Sequence, residues 1–468
     1  MLACCLEGSI QFSIQLHPRE SDLHSTSTTS VPTDLSGVPL EYYNFADVFR
    51  KSKASTLAPY CKHNLEIKLE EGASPSLDTT YSLSPSKLES LWIFLDEHLV
   101  MGFIRPSFSA HAALVLFVHK KNGSLCLCIN FRGLNKIMKK DHYPLPLISD
   151  LLDTLSHTKI YTKLNLWHVY HLVRIAKGNE WKTSFCTCYG SYEWLVMPFS
   201  LTNAPVAFQQ FVNTIFANIL DVCIIVYLDN ILIYSKDKAS HKEHVQEVLW
   251  QLCKHGLYMK PEKCEFHTNA TEYLGYQLSP SGLTMSTEKV QTIQDWPKPC
   301  KVKDIQSFLG FANFYHCFID NYSDIITPLT QLTCKGTPWN FSDSCHSAFR
   351  KLKDTFTSTP ILTHWILDAP MILETDTSDY AIAGIFSIHC LDEEICPVVY
   401  YSWTLSMLEL NYIWTWQHYL ERSASLVNIV ADHKNLKYFV MTKLLTHWQA
   451  QWSEFLSQFN MIVCFRPG

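Results

Sequence analysis

The stretch CIIVYLDNILIY, residues 223–234, decides how the rest of the chain is read. Two apolar runs rich in β-branched residues flank Tyr227, Leu228, Asp229 and Asn230. Such runs on either side of an Asp-Asn pair predict a β-hairpin with a carboxylate at its tip. A carboxylate on a rigid, buried hairpin is well placed to hold a metal. The alternative is a surface turn in which Asp and Asn only favour the bend. The hairpin by itself leaves both readings open.

Outward from it, the composition sets limits. The chain has 468 residues, 47% hydrophobic and 18% charged, enough for two to four globular units with sizeable cores. No apolar run reaches the length of a membrane span. The N-terminal MLACCLEGSI has no basic region before its apolar residues, so no signal peptide is expected, and an intracellular protein is. Seventeen cysteines in a chain of this size do not predict a disulfide framework. Cys126/Cys128 and Cys186/Cys188 are C-x-C pairs rather than the C-x-x-C spacing favoured in zinc sites. The formal net charge of −6 weighs against a strongly cationic nucleic-acid track. Only 8 of the 38 basic residues are Arg, whereas 13 Trp and 21 His are present.

Residues 1–39, Ser/Thr-rich around 21–36, read as a linker or the stub of an upstream region. Ser84 is a candidate N-cap with Pro85 at the first helical position. The helix should run to about Val100, with Leu88, Leu91, Trp92, Leu95 and Leu99 at helical spacing and Gly102 ending it. Residues 113–119 and 125–130, joined by Lys121-Asn122-Gly123, predict a second hairpin.

A series of motifs then follows in fixed order. GFIRPS (102–107), KKNGSLCLCINFRGLN (120–135), YPLPLISDLLD (143–153), YTKLNL (161–166), EWKTSF (180–185), MPFSLTNAPVAFQQF (197–211) and VYLDN (226–230) resemble the reverse transcriptase of gypsy-type LTR retrotransposons. GLYMKPEKCEF (256–266), YLGYQLSPSGLTMS (273–286) and residues 290–333 continue the resemblance through the thumb. PMILETDTSDYAIAGIFS (370–387), LELNY (408–412), ADHKNLKYF (431–439) and FRPG (465–468) resemble the RNase H domain that follows it. The resemblance covers nearly all of residues 39–468.

It implies an α+β chain: a right-hand polymerase (fingers, palm, thumb) followed by a truncated RNase H-like α/β domain. The expected bounds are 40–286 for fingers and palm (core motifs 101–279), 287–338 for thumb or connection, and 339–468 for the incomplete RNase H-like part. By resemblance the partners are an RNA/DNA template–primer and deoxynucleoside triphosphates, and the cofactor is Mg²⁺, with Mn²⁺ as a substitute. Two-metal nucleotidyl transfer stabilises both attacking and leaving oxygens, and hard Mg²⁺ favours carboxylate ligands. The family uses three aspartates. The matching positions here are Asn165, Asp229 and Asn230, so one carboxylate of three remains and polymerisation is expected to be absent or near background.

The other matching positions are uneven. Tyr170 falls where the family screens out a sugar 2′-hydroxyl; the alternative is a core aromatic. Cys126 falls where an Arg grips the triphosphate, which a thiol cannot do. Ser200 replaces a Gly beside the template, at a cost of about 1 kcal/mol if that position needs positive φ. Gln209, with Phe208, matches the helix that follows and is grouped with the nucleotide site. In the RNase H-like part, Asp376 and Asp432 match two of the metal-binding acids. The helix carrying the third, a Glu, is mostly missing after Tyr412, Glu421 is no substitute, and the chain stops before a further Asp. No RNase H cleavage, an unclosed core and proteolysis after about residue 400 are therefore expected.

The departures share a type. Cys126, Cys186, Cys188, Cys317, Trp167, Trp403, His316 and Gln417 stand where the family has Arg; Asn130, Asn165 and Asn230 stand where it has Asp. All follow from C-to-T or G-to-A transitions, the footprint of cytosine deamination in a silenced repeat. Coding DNA with as many transversions as transitions at those codons would rule this out. The resemblance thus implies a crippled polymerase, the alternative being a non-catalytic nucleic-acid- or protein-binding remnant.

Overall fold

The structure is a computed structural model that describes residues 35 and 37–404, apart from 36, 78–80, 120–122, 124, 168, 359, 367–368, 378–380 and 391–393, together with strands Val427–Ala431 and Met461–Phe465. Four sheets carry the described part.

The central hairpin forms from strands Ile224–Tyr227 and Asn230–Ser235. They pair antiparallel from Ile224↔Ile233 to Tyr227↔Asn230. The two-residue loop is therefore Leu228-Asp229, not Asp-Asn, and Asn230 already belongs to a strand. Strand Ile160–Asn165 lies beside it, and Glu265–Thr268 completes a four-stranded sheet. Ile224, Ile225, Val226, Ile231, Leu232 and Ile233 are all at most 1% exposed. The unbroken apolar run has a physical reason: the sheet is covered on both faces. Ile224, Val226, Ile231 and Ile233 enter one core, while Ile225 and Leu232 enter the other. Each such side chain contributes about 1.5–3 kcal/mol by burial, so the hairpin is the partition on which both cores are built.

The first core also takes in a second sheet. A five-stranded sheet runs in the order Ile104–Pro106, Gly190–Trp194, Phe185–Thr187, Ala113–His119, Leu125–Ile129. The hairpin expected over 113–130 is present, with Val115↔Ile129 and His119↔Leu125 in register. Helix Pro85–Val100 starts as expected after Ser84, and Gly102 adopts φ +70° just beyond it. Its buried stripe is narrower than expected: Leu91 and Leu95 are buried, while Trp92 and Leu99 are exposed. Trp92 instead meets Tyr189 edge-on at 5.1 Å. Helix Lys238–His255 backs the palm. Asp237 caps its start by accepting from the Ala239 and Ser240 amides, each at 3.0 Å, and left-handed Gly256 ends it.

The second core holds helices Thr287–Gln294, Val302–Phe314, Tyr322–Gln331 and Asp343–Thr357 around Phe308, Leu352 and Phe356. Phe308 and Phe349 touch with ring centroids 4.7 Å apart, so helix Asp343–Thr357 packs with the thumb helices.

In the C-terminal sheet the order is Ile395–Thr404, Ala381–His389, Met371–Thr377, Val427–Ala431, Met461–Phe465. The first three strands are antiparallel, and the last two join parallel. The segment on which the expected closure of this core turns lies outside the described residues. All five strands pair, and Met371, Leu373, Phe386, Ile388 and Ile429 form a buried cluster with Trp365. The missing-helix segment, Tyr412, Gln417, Glu421 and Asp432 lie outside the described residues. No described helix is long and apolar enough to cross a membrane.

Candidate active site

The sheet register brings the three expected palm residues together. Strand Ile160–Asn165 ends opposite the start of strand Asn230–Ser235, with Asn165↔Asn230 as direct partners, and Asp229 sits in the adjoining loop. The Asn165 amide nitrogen donates to Asp229 Oδ2 and to Asn230 Oδ1, both at 3.2 Å. Asn230 Nδ2 lies 3.4 Å from Asp229 Oδ1. Backbone bonds fix the same corner: the Leu166 amide donates to the Asp229 carbonyl at 3.2 Å, and the Lys260 amide to the Asn165 carbonyl at 2.9 Å.

This donor set does not fit a pair of hard dications. The side chain facing Asp229 from position 165 presents N–H rather than oxygen. The Asn165 Oδ1 is buried with no partner among the described residues. Among those residues no three His, Cys, Asp or Glu side chains converge on a metal position. The Asp229 carboxylate is engaged by amide donors that a cation would have to displace.

Gln209, expected at the nucleotide site, clamps the hairpin. It is fully buried on helix Ala204–Ile215. Its Oε1 accepts from the Leu228 amide at 2.9 Å, and its Nε2 donates to the Val226 carbonyl at 3.0 Å and to Asn213 Oδ1 at 2.8 Å. The loop it holds is strained, since Leu228 adopts φ +52°.

For Ser200 the expected cost hinged on the backbone conformation. It is not among the positive-φ residues, so no glycine-like strain arises there. Its hydroxyl donates to the Ile129 carbonyl at 2.8 Å, and its own carbonyl accepts from Asn135 Nδ2 at 2.8 Å. Serine thus ties the turn to the fingers strand.

Tyr170 stands at the site. Burial raises its phenol pKa, and the charge of Asp229 adds to the rise, so the hydroxyl stays protonated. Its ring meets Phe199 edge-on at 5.1 Å. Cys126 lines a cavity of about 550 Å³ together with Phe94, His98, Cys128, Trp194 and Phe199. No Lys or Arg is among the described lining residues, so a triphosphate finds no cation there.

Sequence reasoning missed Lys260. Its ammonium lies 5.1 Å from the Trp167 ring, which Lys51 approaches at 5.4 Å from elsewhere in the fold. Burial lowers the Lys260 pKa, Lys263 adds to the fall, and the charge of Asp229 opposes it. The Lys in GLYMKPEKCEF was the only signal.

In the C-terminal sheet, Asp376 lies on strand Met371–Thr377, opposite Ala383. Its neighbour Thr375 pairs with Ala431. The Asp376 side chain and all of Asp432 lie outside what is described.

Comparisons with known proteins agree with this architecture. Residues 118–278 match the reverse transcriptase (RNA-dependent DNA polymerase) family, and residues 341–427 match the RNase H-like domain found in reverse transcriptase. The Tf2-7 and Tf2-3 transposon polyproteins of Schizosaccharomyces pombe are each 33% identical over 447 residues, or 92% of this chain and 34% of theirs. The chain thus spans about a third of the length of the curated relatives it matches. In fold it is similar to the foamy viral protease-reverse transcriptase dRH in complex with double-stranded DNA. That match has a TM-score of 0.78 at 17% identity and covers 92% of this chain and 78% of that one. The same enzyme in complex with an RNA/DNA hybrid gives 0.70 at 18% identity, covering 91% and 60%.

Proposed function

The chain belongs to the reverse transcriptase and RNase H region of retrotransposon polyproteins, and on that premise we propose that it keeps the form of an RNA-directed DNA polymerase with a disarmed metal centre. On this reading residues 40–286 supply fingers and palm, 287–338 the thumb, and 339–468 the RNase H-like part. An intact relative would hold Mg²⁺ or Mn²⁺ on three carboxylates and take a template–primer and deoxynucleoside triphosphates. One observation carries the proposal: at position 165 an amide donates into the Asp229 carboxylate where an anionic oxygen is needed. Each missing carboxylate removes several kcal/mol of stabilisation, on the order of 10²-fold or more in rate apiece. Primer extension by the purified chain should stay at background with Mg²⁺ and with Mn²⁺. A variant carrying Asn165→Asp and Asn230→Asp tests whether the rest of the scaffold is sound. Template-dependent synthesis by the parent would refute the proposal, and synthesis by the variant alone would localise the lesion to the metal site.

A second reading, a non-catalytic nucleic-acid-binding remnant, draws support from the fold neighbours, whose structures are complexes with double-stranded DNA or an RNA/DNA hybrid. Salt-dependent binding to a primer–template duplex by the inactive parent would favour it. The cation-free cavity beside Cys126 weighs against a bound triphosphate in either case.

A further inference from the structure

The edge strand of the five-stranded sheet carries two cysteines whose thiol chemistry the proposed polymerase reading does not use. Leu125–Ile129 is the outermost strand of that sheet. Alternate residues of a strand share one face. Cys126 is paired with Val118 and Cys128 with Leu116, so all four project to the same side. Leu125, Leu127 and Ile129 occupy the other face, where Leu127 and Ile129 join the first core. The cysteine face is open: Cys128, Leu116 and Val118 are exposed and Cys126 is half-buried. Two residues apart on one strand, Cys126 and Cys128 have Cα atoms about 6.5–7 Å apart, which leaves both thiols within reach of one two-coordinate ion.

We propose that Cys126 and Cys128 form a two-thiolate site for a soft monovalent d¹⁰ ion of the Cu(I) type. Soft thiolate ligands select soft ions, and hard Mg²⁺ or Ca²⁺ are excluded by the donor type. Zinc needs four ligands, and no third His, Cys, Asp or Glu among the described residues joins the pair. A d¹⁰ monovalent ion is satisfied by two sulfurs, which is what the strand provides. On binding, two S–H bonds break, two metal–sulfur bonds form and two protons leave to solvent, with no change in oxidation state of copper or sulfur.

The chain contains its own control. Cys186 and Cys188 have the same spacing, but Cys186 lies on strand Phe185–Thr187 and Cys188 in the turn beyond it. The alternation that aligns the first pair is therefore broken in the second.

The test is anaerobic titration of the reduced full chain with Cu(I) held by bicinchoninate as competitor. The parent should withdraw one more equivalent than Cys126→Ser and than Cys128→Ser, while Cys186→Ser matches the parent. Equal uptake by all four proteins would overturn the site, as would an equal loss in Cys186→Ser. A second measurement needs no variant. One equivalent of Cu(I) should protect Cys126 and Cys128 from alkylation by iodoacetamide, read by peptide mass spectrometry, and leave Cys186 and Cys188 reactive. Absence of that selective protection would also overturn the proposal.

Discussion

Gln209→Met is the sharpest probe of how the palm hairpin is held. Methionine keeps nearly the same length and volume inside the fully buried site but cannot serve either end of the clamp. The substitution strands the Leu228 amide, now bonded at 2.9 Å, and the Val226 carbonyl, now bonded at 3.0 Å. A buried backbone group left without a partner costs about 1–3 kcal/mol, so the two together cost about 4 kcal/mol. The loss falls on a loop already strained by the left-handed Leu228, which stores a further 1–2 kcal/mol or so. Hydrogen exchange at the Leu228 amide reads the local effect directly. Its protection should fall by about 10²–10³-fold, since every 1.4 kcal/mol or so is a factor of ten. Urea unfolding followed at the same time reads how much of the loss is global. If Gln209→Met leaves both the Leu228 protection factor and the unfolding midpoint unchanged, the clamp is not what holds the hairpin.

Three further outcomes are expected. His241 is fully buried between Thr162 and Ser235, and its pKa is lowered to about 4, first by desolvation and then by His267 and His244. The folded state therefore resists protonation while the unfolded state accepts it near 6.5. The contribution is full above about pH 6.5 and is lost as pH falls towards 4, by about 3 kcal/mol. Urea midpoints between pH 7.5 and 4.5 should fall less steeply in His241→Asn than in the parent, and equal slopes would assign the effect to other groups. Ser200→Gly should lower stability by about 1 kcal/mol through loss of the bond to Ile129, and should not restore polymerisation; a rise in melting temperature would contradict the assigned bond. Asn165→Asp with Asn230→Asp should lower the melting temperature in EDTA, because carboxylates about 3–4 Å apart repel by roughly 1–4 kcal/mol per pair at this depth, and Mg²⁺ should reverse part of the loss; a revertant as stable as the parent without metal would refute that.

Much of the fold was legible because burial leaves a period in the sequence. The alternation over 113–119 and 125–130 gave the fingers hairpin, and Ser84-Pro85 gave the start of a helix whose first residue is Pro85. The pattern said less about which apolar residues face inward: Trp92 and Leu99 fit the spacing of helix Pro85–Val100, yet both remain exposed. The central hairpin was read with its tip within Tyr227–Asn230, where the loop Leu228-Asp229 falls, but Leu228 gives no sign of its positive φ. At the site, Asn165, Asp229, Asn230 and Tyr170 were found through motif order; strand register sets Asn165 against Asn230, with Asp229 in the adjoining loop and Tyr170 on the short helix Val169–Leu172. Gln209 was found the same way, but a motif marks a position without saying whether its side chain faces substrate or backbone, and the bonds to Val226 and Leu228 came only with the structure. Lys260 was overlooked because its place at the site, with its amide bonded to the Asn165 carbonyl, arises only from the fold.

The arginines that remain help explain why the fold outlasts the site. Arg174 is buried, donates to the Leu195 and Ala58 carbonyls and to Tyr60 OH, and stacks on the Tyr60 ring at 4.1 Å. Arg105 is bound through two nitrogens to the buried Glu193, each at 2.7 Å. Removing either strands buried polar partners at a cost of several kcal/mol, a large part of a domain's stability. By contrast, Cys126 stands half-buried on a sheet face open to solvent and Cys188 is exposed, where exchanging a cation for a thiol costs folding little. At positions 165 and 230 an amide even removes like-charge repulsion that only bound metal would offset. Arrays of like charge built to hold metal and phosphate act against the metal-free fold, so their loss relaxes it. On the proposed reading of a disarmed metal centre, a substitution leaves both cores intact wherever the lost charge would have faced a ligand rather than the protein.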